Sequence, residues 1–138
     1  MVELLEEDEG KRPNPYIDTT GHMTVGIGRN LDENPLSDEE IYFLCNQDLK
    51  RAESVLDRLF PGIWEYWPLS VQMAVCSMAF QMGGEGLSRF KNMAAALREN
   101  AFHTAADEAL DSLWARQTPN RAKKIAEMIR DGETVRAS

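Results

Sequence analysis

At 138 residues, 43% of them hydrophobic and 28% charged, the chain has the size and composition of one soluble globular domain, long enough to bury roughly two-thirds of the surface its unfolded form exposes. A formal charge of −8 argues against the dominant basic stripe of a nucleic-acid binder, and no apolar run reaches the ~18 residues that a membrane span requires. The excess is local: residues 1–58 hold 14 acids against 6 bases, residues 59–138 nine of each.

The first residues, Met1 to Glu7, lack the basic and apolar regions of a secretory signal, so synthesis in the cytosol is expected, with a separate delivery route for any substrate outside it. Cys45 and Cys76 are too few and too far apart for a disulfide framework or a metal set, and both read as buried small apolar residues. No metal or other cofactor is expected. The basic run Arg116, Arg121, Lys123, Lys124 and Arg130 reads either as solvated charge or as a local attraction for an anionic polymer.

Residues 2–9 fit a short helix with Val2, Leu5 and Leu4 facing inward, ended by Gly10 at the left-handed position after the last turn. Lys11 to Pro15 reads as an extended turn, Tyr16-Ile17-Asp18 as a short strand and Thr19-Thr20-Gly21 as a hairpin turn. The next strand alternates, which puts Met23, Val25 and Ile27 on the core face and His22, Thr24 and Gly26 on the other. Arg29 to Leu36 is a polar loop. Ser37 and Glu40 then have the spacing of a capping box, opening a helix through Ile41, Leu44, Leu49, Ala52 and Leu56 that Pro61-Gly62 breaks.

Pro68 can occupy the first position of a helix over 68–82 that is apolar on most faces and therefore central; Met73, Met78 and Met82 fill core, and Gly83-Gly84 stops it. Amphipathic spacing predicts helices at about 85–90, 92–99 and 102–113. Thr118 as cap and Pro119 at the first position open a final helix that Gly132 ends, and Val135 to Ser138 are expected to be loose.

Chemistry concentrates near the start. Glu9 sits at the negative end of a helix dipole beside Asp8, and both influences favour a carboxyl that keeps its proton, as a general acid must; position alone favours an unremarkable surface acid at a fraying helix end. Asp18 follows nine residues later and Thr24 six beyond that.

The pattern Glu9-Gly10-x-Arg12, Tyr16-x-Asp18-Thr19-x-Gly21, Thr24-x-Gly26-x-Gly28 resembles the opening of the phage-type lysozymes, the muramidase family that includes those of the T-even bacteriophages. Phe80-Gln81-Met82-Gly83 resembles the family's buried-helix end. Trp114 to Ala122, with Gln117-Thr118-Pro119-Asn120-Arg121-Ala122, resembles its late W-x-x-Q-T-P-N-R-A stretch, and all three occur in family order. The resemblance implies an α+β, mostly α, lysozyme-like fold of two lobes: a small β-sheet lobe at about 11–50, a connecting helix at about 37–60, and a helical lobe at about 60–138 joined by the first helix.

It also implies hydrolysis of the bond between N-acetylmuramic acid and N-acetylglucosamine in bacterial peptidoglycan by a monomer, with holin-like release or virion delivery to the wall. Glu9 would be the general acid, Asp18 the acid that activates or positions water, and Thr24 the threonine holding that water. Such an inverting pair is about 6.5–9.5 Å apart. Arg121 would stand against Glu9, with His22 in support, while Gln81, Gln117 and Asn120 would line the saccharide cleft; helix-end satisfaction for Gln81 and capping for Asn120 remain alternatives. Three features depart from the family: Arg29 stands where the T-even enzymes have histidine, the 29–36 segment is short, and the chain is acidic. Two other readings stand beside it: a lytic transglycosylase, which needs one catalytic acid and excludes water, so that Asp18 and Thr24 tell against it, and a catalytically silent peptidoglycan-binding module that keeps the motif.

Overall fold

A computed structural model describes residues 1–137, with side chains through Val135. Its described residues form an α+β, mostly α structure: α1 (Val2–Glu9), β1 (Arg12–Ile17), β2 (Met23–Gly26), β3 (Arg29–Asn30), α2 (Asp38–Leu59), a 3₁₀ turn (Trp64–Tyr66), α3 (Leu69–Ser88), α4 (Lys91–Arg98), α5 (Phe102–Leu110), α6 (Leu113–Gln117) and α7 (Pro119–Ala137). The chain divides into two compact units, Met1–Leu44 and Cys45–Ser138.

In the first unit β1, β2 and β3 form an antiparallel sheet in that order. Arg12 pairs with Gly26 and Tyr16 with Thr24, and the register shifts between them. Pro13 and Pro15, which bring no N–H to a ladder, lie within that irregular stretch, so the segment expected as a turn is an edge strand. Leu4, Leu5 and Val2 are exposed rather than inward, because α1 buries none of its residues. This unit holds 11 acids and 3 bases and so carries the whole net charge.

The predicted capping box is present. Glu40 N–H donates to Ser37 Oγ at 3.2 Å and Ser37 N–H donates to Glu40 Oε1 at 2.9 Å, which satisfies two of the orphan donors where α2 begins. Along α2 only Ala52 and Leu56 become fully buried, whereas Ile41, Leu44 and Leu49 stay exposed.

The second unit is built on α3, α5 and α7. α3 buries Val71, Ala74, Val75 and Met78, a stripe at helical spacing, each such Val or Met contributing about 1.5–3 kcal/mol by leaving water. Small side chains on α5, Ala105, Ala106 and Ala109, are fully buried and let the neighbouring helices come close. Met73 was expected in the core with Met78 but is exposed, and Met82 is half-buried, as are Cys45 and Cys76. Phe80 and Met73 instead line an open apolar groove of about 380 Å³ with Leu49 and Leu69.

Gly83 breaks the α3 backbone as predicted, with φ 72° and ψ 179°, after which a last turn resumes to Ser88. The helix expected over 102–113 ends earlier: Ser112 Oγ accepts from Ala115 N–H at 3.1 Å and starts α6. Thr118 does not cap α7 with its hydroxyl, which donates back to Trp114 O at 3.0 Å. Gly132 does not end α7, which continues to Ala137. It is a packing glycine: a methyl group there would stand 2.5 Å from Val71 Cγ2 and 2.9 Å from Phe102 Cδ2. Of the tail expected to be loose, Val135 to Ala137 are helical and Ser138 lies outside the described residues.

Candidate active site

Glu9 is the last residue of α1, and the N–H of Gly10 closes that turn on Glu6 O at 2.8 Å. The exposed Glu9 side chain lies across Gly28: a methyl group on Gly28 would be 2.8 Å from Glu9 Oε2 and 3.1 Å from its Cβ. Gly28 also has φ 69°, so this position needs a glycine both for its backbone and for the neighbour it admits. Among the described residues of its own unit, the Glu9 carboxylate takes part in no hydrogen bond or ion pair.

Asp18 is in the opposite situation. Its Oδ1 accepts from the N–H of His22 at 2.9 Å, the hydroxyl of Thr20 at 2.8 Å and the N–H of Thr20 at 2.9 Å, while its own N–H donates to His22 O at 2.9 Å. These bonds, led by the one from the His22 backbone and then that from the Thr20 hydroxyl, hold the carboxyl below its ordinary 3.8. Oδ2 accepts no hydrogen bond among the described residues, which leaves one anchored oxygen and one available to water.

His22 reaches the same group through Thr20, whose Oγ1 is 2.7 Å from His22 Nδ1. Since the single hydroxyl proton of Thr20 goes to Asp18, Nδ1 is the donor in that contact, and a chain of donors runs from His22 through Thr20 to Asp18. Thr24 differs from expectation. It is buried, at 3% exposure, and its hydroxyl donates to His22 O at 3.0 Å, while Met23, expected inward, is exposed. β2 lies between β1 and β3, and in so short a central strand the alternation of residues does not reveal which face is covered.

Arg29 makes a fork to Glu40, with Nη1 to Oε2 at 2.5 Å and Nη2 to Oε1 at 2.9 Å. This fork, with the Ser37 N–H as the next contributor, lowers the Glu40 carboxyl to about 2. Sequence reasoning missed both this pair and Thr20. The signals were available: Asp-Thr-Thr-Gly is the composition of an Asx turn, and Glu40 was already placed beside Ser37 by its capping role.

In the second unit, Gln81 Oε1 accepts from the indole N–H of Trp114 at 3.1 Å. Phe90 meets the Trp114 ring edge-on at 6.0 Å, and Gln117 joins Phe90, Trp114 and Arg89 around a cavity of about 430 Å³. Asn120 and Arg121 line a different cavity, of about 650 Å³, with Ser77 and Lys124. The Arg121 guanidinium donates there to Ser77 Oγ at 3.0 Å and to Ser77 O at 3.3 Å. Of the polar residues expected to line a cleft, Gln81 and Gln117 therefore gather around Trp114, and Asn120 belongs with Arg121.

Comparison with known proteins identifies the family. The family model described as phage lysozyme matches residues 6–130. The pre-baseplate central spike protein Gp5 of Enterobacteria phage T4 is 31% identical over 96% of this chain, which spans only 28% of that protein. Two Dictyostelium discoideum proteins, probable T4-type lysozymes 2 and 1, are 25% and 27% identical, each alignment covering 96% of this chain and 94% of the relative. With a family match over nearly its whole length, the chain belongs to the phage lysozyme family, a family of peptidoglycan-degrading glycoside hydrolases.

Proposed function

We propose that the chain hydrolyses the β-1,4 bond between N-acetylmuramic acid and N-acetylglucosamine with inversion, lysing bacterial cell walls as a monomer. Glu9 protonates the departing glycosidic oxygen. Asp18 takes a proton from, or orients, the attacking water through Oδ2. The observation that carries this reading is the contrast between the two carboxylates of the first unit, one anchored by three donors and held ionised, the other without a partner in that unit. An anchored, ionised carboxylate with one oxygen left open suits the group that accepts a proton from water or orients it.

Thr24 contributes as an acceptor toward the same water, because its own proton goes to His22 O. His22 supports Asp18 through Thr20. Arg121, whose guanidinium donates to Ser77, supports the helical unit's part of the site, and Gln81, Gln117 and Asn120 bind the saccharide. The protein is made in the host cytoplasm and reaches the wall through a holin-like pore or as part of a virion.

Lysis of permeabilised cells by wild type, Glu9→Gln and Asp18→Asn tests the assignment, with losses of at least about 100-fold expected on removing a general acid or base. Products should carry reducing ends and the inverted anomer. Anhydro-muramic ends would replace this reading with a transglycosylase, and unchanged lysis by Glu9→Gln would replace it with a silent binding module.

A further inference from the structure

Each nitrogen of the Arg29 guanidinium is engaged: Nε donates to Asn34 O at 3.0 Å, Nη1 to Glu40 Oε2 at 2.5 Å, and Nη2 to Pro35 O at 2.9 Å and Glu40 Oε1 at 2.9 Å. The backbone of the same residue begins β3, opposite Val25 of β2, and follows directly on Gly28. Glu40, the other half of the fork, simultaneously accepts the Ser37 N–H that opens α2.

Other bonds on this segment are local to the sheet and its turn, the N–H of Leu31 donating to Met23 O at 2.8 Å and the N–H of Met23 to Asp32 Oδ2 at 2.9 Å, and neither of these reaches α2. β3 is two residues long, and the return from β2 contains Gly26 and Gly28, both at positive φ, so its intrinsic freedom is large. The Glu9 side chain lies against that return. Within its unit the carboxylate takes no hydrogen bond among the described residues, and its side chain rests against Gly28.

We propose that Arg29 is a positioning residue for catalysis: its fork to Glu40 ties the Gly26–Gly28 return to the start of α2 and so fixes the wall against which Glu9 is set. The inference rests on Glu9 being the general acid. A fork of parallel charge-assisted hydrogen bonds fixes direction as well as distance, which a lysine ammonium at one carboxylate oxygen does only in part. Arginine also keeps its charge throughout the working pH range. A displacement of the reacting group by about 1 Å can cost up to about 100-fold in rate, so loosening this tie should be read in turnover.

The test measures kcat and KM on soluble peptidoglycan oligosaccharides for Arg29→Gln, Arg29→Lys and Glu40→Gln, each verified as folded at the assay temperature by circular dichroism. Glu40→Gln keeps an amide oxygen for Ser37, so the cap survives while the charge is lost. Arg29→Gln and Glu40→Gln should lower kcat about 10- to 100-fold with little change in KM, and Arg29→Lys should recover part of the loss. Arg51→Gln, which removes an exposed pair with Asp48, should leave both constants unchanged. A purely structural role predicts lower stability with wild-type kcat per folded molecule, and that result in Arg29→Gln and Glu40→Gln overturns the proposal. Should Arg29→Gln not fold, Glu40→Gln and Arg29→Lys decide by the same criterion. Glu9→Gln is measured alongside: full turnover there removes the general-acid reading and this inference together, while its loss with an unimpaired Arg29→Gln removes the positioning role alone.

Discussion

Asp18 and His22 close on each other twice, the N–H of Asp18 donating to His22 O and the N–H of His22 donating to Asp18 Oδ1, both at 2.9 Å. The second of these is the largest cause of the lowered Asp18 pKa, and the Thr20 hydroxyl is the next. Thr20→Val deletes the hydroxyl at nearly constant shape. The Asp18 carboxyl then rises toward 3.8, and the acid limb of the kcat/KM profile moves to higher pH, with activity near neutrality unchanged. The same depressed carboxyl stabilises the fold above its ordinary range, a contribution lost as pH falls through the folded value. A pH–rate profile of the variant superimposed on that of wild type would refute this coupling.

Gly28→Ala places a residue with a side chain at φ 69° and its methyl 2.8 Å from Glu9 Oε2. The backbone cost is about 1–2 kcal/mol. Glu9 must also move, so kcat should fall about tenfold or more beyond what the lost stability explains. Thermal unfolding followed by circular dichroism, together with turnover measured well below the midpoint, separates the two effects.

Acid should act on the Arg29–Glu40 fork in a defined window. A carboxyl lowered from 4.5 to about 2 contributes stability that is present in full above 4.5 and disappears as pH falls through about 2. The urea midpoint of Glu40→Gln is therefore expected below that of wild type at pH 6, with the gap closing between about pH 4.5 and 2. Both groups are more than a third exposed or close to it, so added salt should narrow the gap at pH 6.

At Gly132 two effects oppose each other. Alanine gains up to about 1 kcal/mol in helix propensity, but its methyl would enter space already filled by Val71 and Phe102, and overpacking costs about 1–3 kcal/mol. The packing cost prevails, and the melting temperature of Gly132→Ala should fall by about 3–6 °C. Calorimetry showing a rise would mean that α7 shifts freely over α3 and α5.

What the sequence revealed follows the range of the forces involved. Ser37 and Glu40 act within one turn, as does the break at Gly83, and both were readable from spacing alone. Gly132 misled because its glycine signal is local while its reason is tertiary, contact with α3 and α5. Asp111-Ser112 concealed the start of α6 inside an otherwise continuous helical pattern. For the candidate site, family order proposed Glu9, Asp18 and Thr24, but the face of Thr24 was not legible, since β2 is short and paired on both sides. Arg29 was visible only as a departure, because its partner is decided by where the loop brings α2.

All three tryptophans, Trp64, Trp67 and Trp114, belong to the second unit, whereas Glu9, Asp18, Gly28 and the Arg29–Glu40 fork belong to the first. Tryptophan emission therefore reports on the helical unit directly and is poorly placed to register local opening of the acidic one, whose tyrosines are Tyr16 and Tyr42. An unfolding curve from fluorescence that runs ahead of or behind one from circular dichroism would reveal that the two units melt separately, and a tryptophan introduced at Tyr16 would give the first unit a signal of its own.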